Sequence, residues 1–214
     1  MPSFVVRVWL PDRPGALGAV ASRIGAVRGD VIGIDILERG AGRAIDELVV
    51  TLPSADLIEL MVRELREVDG VDVEDIRPVA FNAPDPRVDA LESAALLVEQ
   101  TTPTELVELL VEHVTRDLEA AWAVVIDHVG IEMLAASGQV PSAAWLAAFV
   151  AGSLASEAAG TDDVAWARFP QAPLALVLGR SGRPFRQRER SQLEALTRIA
   201  DRRWAELMAP RPSH

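Results

Sequence analysis

The fold is organised around one short segment, Leu10-Pro11-Asp12-Arg13-Pro14-Gly15-Ala16-Leu17-Gly18-Ala19-Val20. An apolar run ends before Pro11, and it predicts a strand that stops where the backbone loses its N–H donor. Pro14 pushes Arg13 out of the helical region, and Gly15 supplies the backbone freedom that a tight turn needs. The helical period begins at Ala16, so the first N–H groups of a helix point back into the turn and offer a place for an anionic group.

This segment resembles the ligand loop of ACT domains, which are small amino-acid-sensing modules attached to metabolic enzymes and regulators. The resemblance lies in an acidic residue, Arg-Pro-Gly and two apolar positions: Asp12, Arg13, Pro14, Gly15, Ala16 and Leu17. It implies that Asp12 contacts the amino group of a bound amino acid, while the loop N–H groups take the carboxylate. The residues alone leave a second interpretation open, in which Asp12 only caps the turn or the helix.

The elements around this loop define a first domain at 1–80. Periodicity predicts strands at 4–9, 31–38, 44–52 and 71–77, with helices at 15–28 and after the cap residue Ser54. This β-α-β-β-α-β order is the ferredoxin-like arrangement, with both helices on one face of an antiparallel sheet. ACT domains have the same order and size, so the resemblance covers about 4–79. A proline-rich linker is predicted at 81–87.

The second predicted strand and the sheet face without helices both favour self-association. We expect that face to be apolar, with Val5, Trp9, Leu37 and Val49 on it. Strand 31–38 is predicted to be an unpaired edge. ACT domains typically pair through such edges and bind ligands at the shared interface, so the resemblance implies a homodimer or higher oligomer.

Two further ligand-binding residues follow from the resemblance, namely Val31 and Ile32 at the start of the second strand. ACT domains that bind amino acids often place a polar side chain, typically Asn, at this point. Val31 is apolar. The ligand is therefore an amino acid, another small molecule or none.

The second half, 88–208, predicts a different α+β domain, followed by a tail at 209–214. Helices are predicted at 88–100, from the cap residue Thr102, at 142–157 and at 186–207, and strands at 122–128, 131–136, 164–169 and 174–178. This layout resembles a GAF domain, a regulatory sensor fold with a central antiparallel sheet and helices at both ends of its sequence. The residues that carry the resemblance are 123–127, 134–138 and the strand-to-helix junction 176–185.

Composition and motifs point away from several other classes of function. The net charge of −11 argues against nucleic acid or an acidic membrane surface as a partner. The absence of cysteine excludes disulfides and thiolate sites, and the histidines, His113, His128 and His214, lack metal-ligand spacing. The arginine cluster from Arg180 to Arg190 is interpreted as a solvated helix face or, alternatively, an anion site.

These observations together predict a non-enzymatic, cytoplasmic regulatory protein without cofactor or metal. The cytoplasmic prediction rests on the lack of a signal peptide pattern or an apolar run of membrane-spanning length. The alternative is a dimeric interaction scaffold without a small ligand. An ACT domain also precedes the catalytic half of enzymes such as formyl-tetrahydrofolate hydrolases, but the second half here shows no matching Asn, His and Asp set.

Overall fold

The computed structural model describes residues 1–79, 86–155 and 162–209. The chain divides into two compact units, Met1–Ala83 and Pro84–His214. Most of the predicted linker at 81–87 and of the predicted tail at 209–214 lies outside the described residues.

The first unit has the β-α-β-β-α-β order that the sequence predicts. Its elements are β1 (Ser3–Pro11), α1 (Ala16–Ala26), β2 (Asp30–Gly40), β3 (Arg43–Thr51), α2 (Ile58–Arg66) and β4 (Asp72–Val79). A short 3-10 turn, Ala55–Leu57, precedes α2, and the Ser54 hydroxyl accepts a hydrogen bond from the backbone N–H of Asp56 at its start. The described strands form a four-stranded antiparallel sheet in the order β2-β3-β1-β4.

Side-chain alternation in β1 divides the sheet into two faces. Phe4, Val6 and Val8 pack in the same buried cluster as Val20 and Ile24 of α1, and this cluster also includes side chains of α2 and β3. Both helices therefore cover the same face of the sheet. We call it the helix face, and we call the other one the open face because neither helix of this unit covers it, although Val5 and Arg7 on it are buried.

The second unit has the order α-α-β-β-α-β-β-α. Its elements are α3 (Pro86–Glu99), α4 (Pro103–Asp117), β5 (Trp122–Asp127), β6 (Glu132–Gly138), α5 (Ala143–Ala155), β7 (Val164–Arg168), β8 (Leu174–Gly179) and α6 (Gln187–Met208). The described strands form an antiparallel sheet in the order β6-β5-β8-β7. As predicted, Thr102 begins α4 with a capping box that it shares with Glu105.

Two buried clusters cover the two faces of this second sheet. Ala123 and Val125 of β5 pack in one cluster with side chains of α3, α4 and α6. Val124 and Ile126 pack in the other with Leu146 and Val150 of α5. The alternation along β5 thus builds a three-layer arrangement, and the chain as a whole is an α+β protein.

Candidate functional site

The Asp12–Gly15 loop is a tight turn that is tied to the connection between β2 and β3. The backbone N–H of Asp12 donates to the Gly42 carbonyl at 2.9 Å, and that of Arg13 donates to the Pro11 carbonyl at 2.8 Å. Residues 12–15 are exposed, whereas Ala16 is buried in the core. The loop therefore presents its polar part outward on a fixed base.

Gly15 makes the transition from the loop to α1. Its φ is +88°, in the left-handed region that favours glycine. As the N-cap it has no side chain to satisfy the first-turn N–H groups of α1. The N-cap residue of α1 is Gly15 and not Asp12, and no side chain among the described residues caps this helix by a hydrogen bond, which argues against the interpretation of Asp12 as the helix cap.

The predicted site residues lie in two separate places within one chain. Asp12, Arg13, Pro14, Gly15, Ala16 and Leu17 follow the last residue of β1, Pro11, which pairs with Arg43. Val31 pairs with Val50, which pairs with Phe4 near the other end of β1. At about 3.3 Å per residue, roughly 23 Å along the sheet separates Val31 and Ile32 from the loop. One chain does not bring the two groups together.

Strand β2 is an edge strand with exposed isoleucines. Ile34 and Ile36, exposed to 42% and 41%, are opposite Leu48 and Asp46 and therefore lie on the helix face beside α1. The register shifts at Ile32, so that β2 carries an extra residue there, and Ile32 is 49% exposed. This edge offers an apolar strip next to the helix that begins at the loop.

Asp46 is a candidate site residue that the sequence analysis did not single out. It lies in β3 opposite Val8 and Ile36, so its side chain is on the helix face, and it is 3% exposed. Within the described part of the chain, its Oδ1 atom is buried without a hydrogen-bond partner. Burial raises the pKa of Asp46; the positive charge of Arg39 lowers it, and the negative charge of Asp12 raises it further.

The open face carries charge at its centre, which corrects the expectation of an apolar face. Arg7, only 1% exposed, donates to Glu47 at 3.0 Å, and Arg77 donates to the same carboxylate at 2.9 Å. Burial alone would raise the pKa of Glu47, but the hydrogen bond and charge of Arg77 and the charge of Arg7 hold it below its ordinary value. The apolar residues Val5 and Trp9 flank this ion pair along β1.

A buried polar cluster joins α3 to α4 in the second unit. Ser93 Oγ lies 2.7 Å from His113 Nδ1 and donates to Asp117 Oδ2 at 2.6 Å, and Arg116 Nε donates to Asp117 Oδ1 at 2.9 Å. Arg116 Nη2 lies 3.0 Å from the same His113 Nδ1, and because an arginine can only donate, Nδ1 is an acceptor there. The single proton of the serine hydroxyl then goes either to His113 Nδ1 or to Asp117. In a nucleophilic triad the histidine lies between serine and carboxylate. Here the buried serine lies between them, so the cluster has the geometry of a helix-packing contact.

Arg180 belongs to the framework of the second unit and not to an exposed anion site. Its guanidinium donates to the carbonyls of Leu118, Arg183 and Pro184 and to the Glu189 carboxylate at 2.7 Å. The side chain is buried and lies over the Phe185 ring. These contacts satisfy backbone acceptors where the chain turns from β8 towards α6.

Residues 1–79, 86–155 and 162–209 contain neither a candidate metal site nor a candidate membrane-spanning helix. No group of three or more His, Asp or Glu side chains in these ranges has the geometry to hold a metal ion. None of the helices in these ranges has both the length and the apolar composition that crossing a bilayer requires.

Comparisons with known proteins give weak similarity only. No protein-family model matches the chain. No curated protein matches it either. Among solved structures, an unknown protein from Galdieria sulphuraria is 17% identical, with a TM-score of 0.33, over 47% of this chain and 64% of that one. A formyltetrahydrofolate deformylase from Pseudomonas putida KT2440 is 15% identical, with a TM-score of 0.28, over 46% of this chain and 37% of that one.

In both cases the match spans less than two thirds of the solved chain. Similarity at this level supports no argument about activity or ligand. The structure itself defines the class: an α+β protein of two compact units, each with an antiparallel sheet.

Proposed function

We propose that this chain is a non-enzymatic regulatory protein whose first unit is an ACT-type domain. This domain binds a small metabolite, an amino acid, between two copies of the chain. The observation that carries the proposal is the exposed Asp12–Gly15 loop, which leads into the uncapped start of α1 beside the exposed edge of β2. The second unit is GAF-like and binds a second ligand or presents a protein surface.

The separation of the two groups of site residues supports a site that is shared between copies. A two-fold pairing of β2 with β2 of a second copy runs the two strands antiparallel. Such a pairing brings the start of one β2 towards the end of the other. The second copy's Val31 and Ile32 then approach the Asp12–Leu17 segment, which is roughly 23 Å away within one chain.

Regulation in this proposal follows from linkage between ligand and assembly. A ligand that contacts both copies binds the pair more tightly than the single chain, and it therefore shifts the equilibrium towards the pair. The same shift moves the second units together, and this movement transmits the signal.

Calorimetric titration of the full chain with each common L-amino acid tests the proposal. We expect at least one to bind, and we expect Asp12→Ala to weaken that binding. Glu59→Gln serves as a charge-matched control, because Glu59 is exposed in the first turn of α2 and follows the far end of β3. Binding of none of the amino acids would exclude the amino-acid version of the proposal.

The alternative is a dimeric interaction scaffold without a small ligand. Val31 favours it, because its apolar side chain packs against the core of its own unit and offers no polar contact. For a scaffold, Asp12→Ala leaves every property unchanged or affects pairing alone. For a sensor, the same variant keeps its thermal stability and loses the response to the ligand.

A further inference from the structure

Asp46 is buried in an environment that does not satisfy it. A carboxylate removed from water is strongly destabilised unless hydrogen bonds or an opposite charge compensate for it. The side chain is 3% exposed, and its Oδ1 has no hydrogen-bond partner among the described residues. Its neighbours along β3 on the same face, Ala44 and Leu48, belong to the apolar core.

Its position links Asp46 to the loop. Asp46 lies on the face that α1 covers, in the half of β3 that begins at the loop end of the sheet, since Arg43 pairs with Pro11. The backbone N–H of Asp12 donates to the carbonyl of Gly42, four residues before Asp46 in the chain, so both acids belong to the same end of the sheet. The negative charge of Asp12 also raises the pKa of Asp46. Arg39, opposite Ala44 on the same face, is an exposed side chain that interacts with Asp46 through its charge.

We infer that Asp46 is a second carboxylate of the ligand site and that, together with Asp12, it selects a ligand that carries a primary ammonium group. This inference rests on the proposed function, because it assigns a further residue to the same site. An ammonium group has three N–H donors and one positive charge, so it can donate to both carboxylates. It would thereby give the buried Oδ1 of Asp46 the partner that it lacks.

The assignment predicts selectivity as well as affinity. A ligand that lacks the amino group leaves both carboxylates repelling each other, and the Oδ1 atom of Asp46 stays without a hydrogen-bond partner. An Asn at position 46 keeps the shape of the side chain but removes its charge. The variant should therefore discriminate poorly between an amino acid and the same acid without its amino group.

The test is a calorimetric comparison of wild type, Asp46→Asn and the charge-matched control Glu59→Gln. The probes are the L-amino acid that binds wild type best and the carboxylic acid of the same skeleton without the amino group. We expect Asp46→Asn to lose roughly tenfold or more in affinity for the amino acid, while Glu59→Gln does not. The carboxylic acid should bind wild type more weakly than the amino acid does, and Asp46→Asn should not weaken it further.

The outcomes separate the inference from the proposed function. Equal affinity of wild type and Asp46→Asn for the amino acid would overturn the inference and leave the sensor proposal standing. Equal binding of both probes to wild type would do the same. If no amino acid binds wild type, the proposed function fails and takes the inference with it. Melting curves of all three proteins show that any lost binding does not reflect unfolding.

Discussion

Asp46 and Glu47 are neighbours in β3, but their carboxylates lie on opposite faces of the sheet and their pKa values shift in opposite directions. Asp46 is among apolar side chains on the helix face, where burial raises its pKa. Glu47 is between Arg7 and Arg77 on the open face, where these cations outweigh burial and lower its pKa. One peptide step thus separates a charge that opposes folding from a charge that supports it.

Replacing Asp46 with Asn should stabilise the protein near neutral pH. The pKa of Asp46 is higher in the folded chain than in the unfolded chain, so the folded chain binds the carboxyl proton more tightly. The free energy of unfolding therefore declines as the pH rises from the unfolded pKa through the folded pKa. The gain in stability from Asp46→Asn should vanish at pH values below the ordinary pKa of an aspartate. Urea unfolding of wild type and variant at acid and neutral pH measures this gain. A variant that is less stable at neutral pH would contradict the prediction.

Replacing Glu47 with Gln should have the opposite effect. The pKa of Glu47 is lower in the folded chain than in the unfolded chain, so its carboxylate stabilises the fold at pH values above the unfolded pKa. This stabilisation is lost as the pH falls through the folded pKa. Near neutral pH we expect a loss of about 3 kcal/mol, because the buried Arg7 loses a partner. The difference from wild type should shrink in acid. A loss of the same size at every pH would show that shape, not charge, is responsible.

Gly15→Ala and Gly18→Ala form a matched pair in α1 and its cap. A Cβ atom at either position meets no atom within 4 Å, so the backbone alone decides the outcome. Gly15 has φ of +88°, and Ala there should destabilise the protein by about 1–2 kcal/mol. Gly18 is within the helix, and Ala there should stabilise it by up to about 1 kcal/mol. Thermal melts check both signs, and a shift in the same direction for both would refute the argument.

Arg180→Gln should destabilise the second unit by about 3 kcal/mol or more. The substitution removes donors from buried carbonyls and leaves Glu189 without its 2.7 Å ion pair. Arg198→Gln is the control, because Arg198 is exposed in α6, and we expect a change within about 0.5 kcal/mol. Chemical denaturation measures both variants. A small effect at Arg180 would mean that water replaces these contacts.

If two copies pair through β2 as proposed, Ile34→Glu should abolish that pairing without unfolding the chain. Ile34 is exposed on the edge strand, so a charge there is tolerated in the single chain but opposes its counterpart across a two-fold contact. Leu60→Glu on α2 is the control, since Leu60 is an exposed apolar side chain away from this edge. Sedimentation velocity gives the masses. Pairing that survives Ile34→Glu would place the contact elsewhere.

Local signals were sufficient to predict the order of the elements. The change from the strand period to the helical period after Gly15, and the cap signals at Ser54 and Thr102, come from residues close together in sequence, and the structure confirms them. The bounds shift by only a few residues. The sequence also contains a signal for Asp46, namely the neighbouring acids Asp46 and Glu47 within one strand. Two adjacent acids in one strand point to opposite faces, so one of them has to face the helices.

Contacts between distant segments could not be predicted in the same way. The open face is charged at its centre because Arg7, Glu47 and Arg77 come from three strands, and only the register brings them together. The Ser93 contact with His113 depends on how α3 packs on α4, because the two residues come from different helices. The distance of Val31 from the loop likewise follows from strand pairing.

Both edge strands of the first sheet, β2 and β4, have an irregular backbone, and this affects how far the protein assembles at high concentration. Register shifts leave extra residues at Ile32 and Leu37 in β2 and at Glu74 in β4. Between its two register shifts, β2 has only a short regular segment, Gly33 to Ile36, with which another strand can pair. In the other edge strand, β4, Pro78 has no backbone N–H to donate. Strand-by-strand growth into filaments is therefore disfavoured, and the protein should remain in small assemblies when crowded.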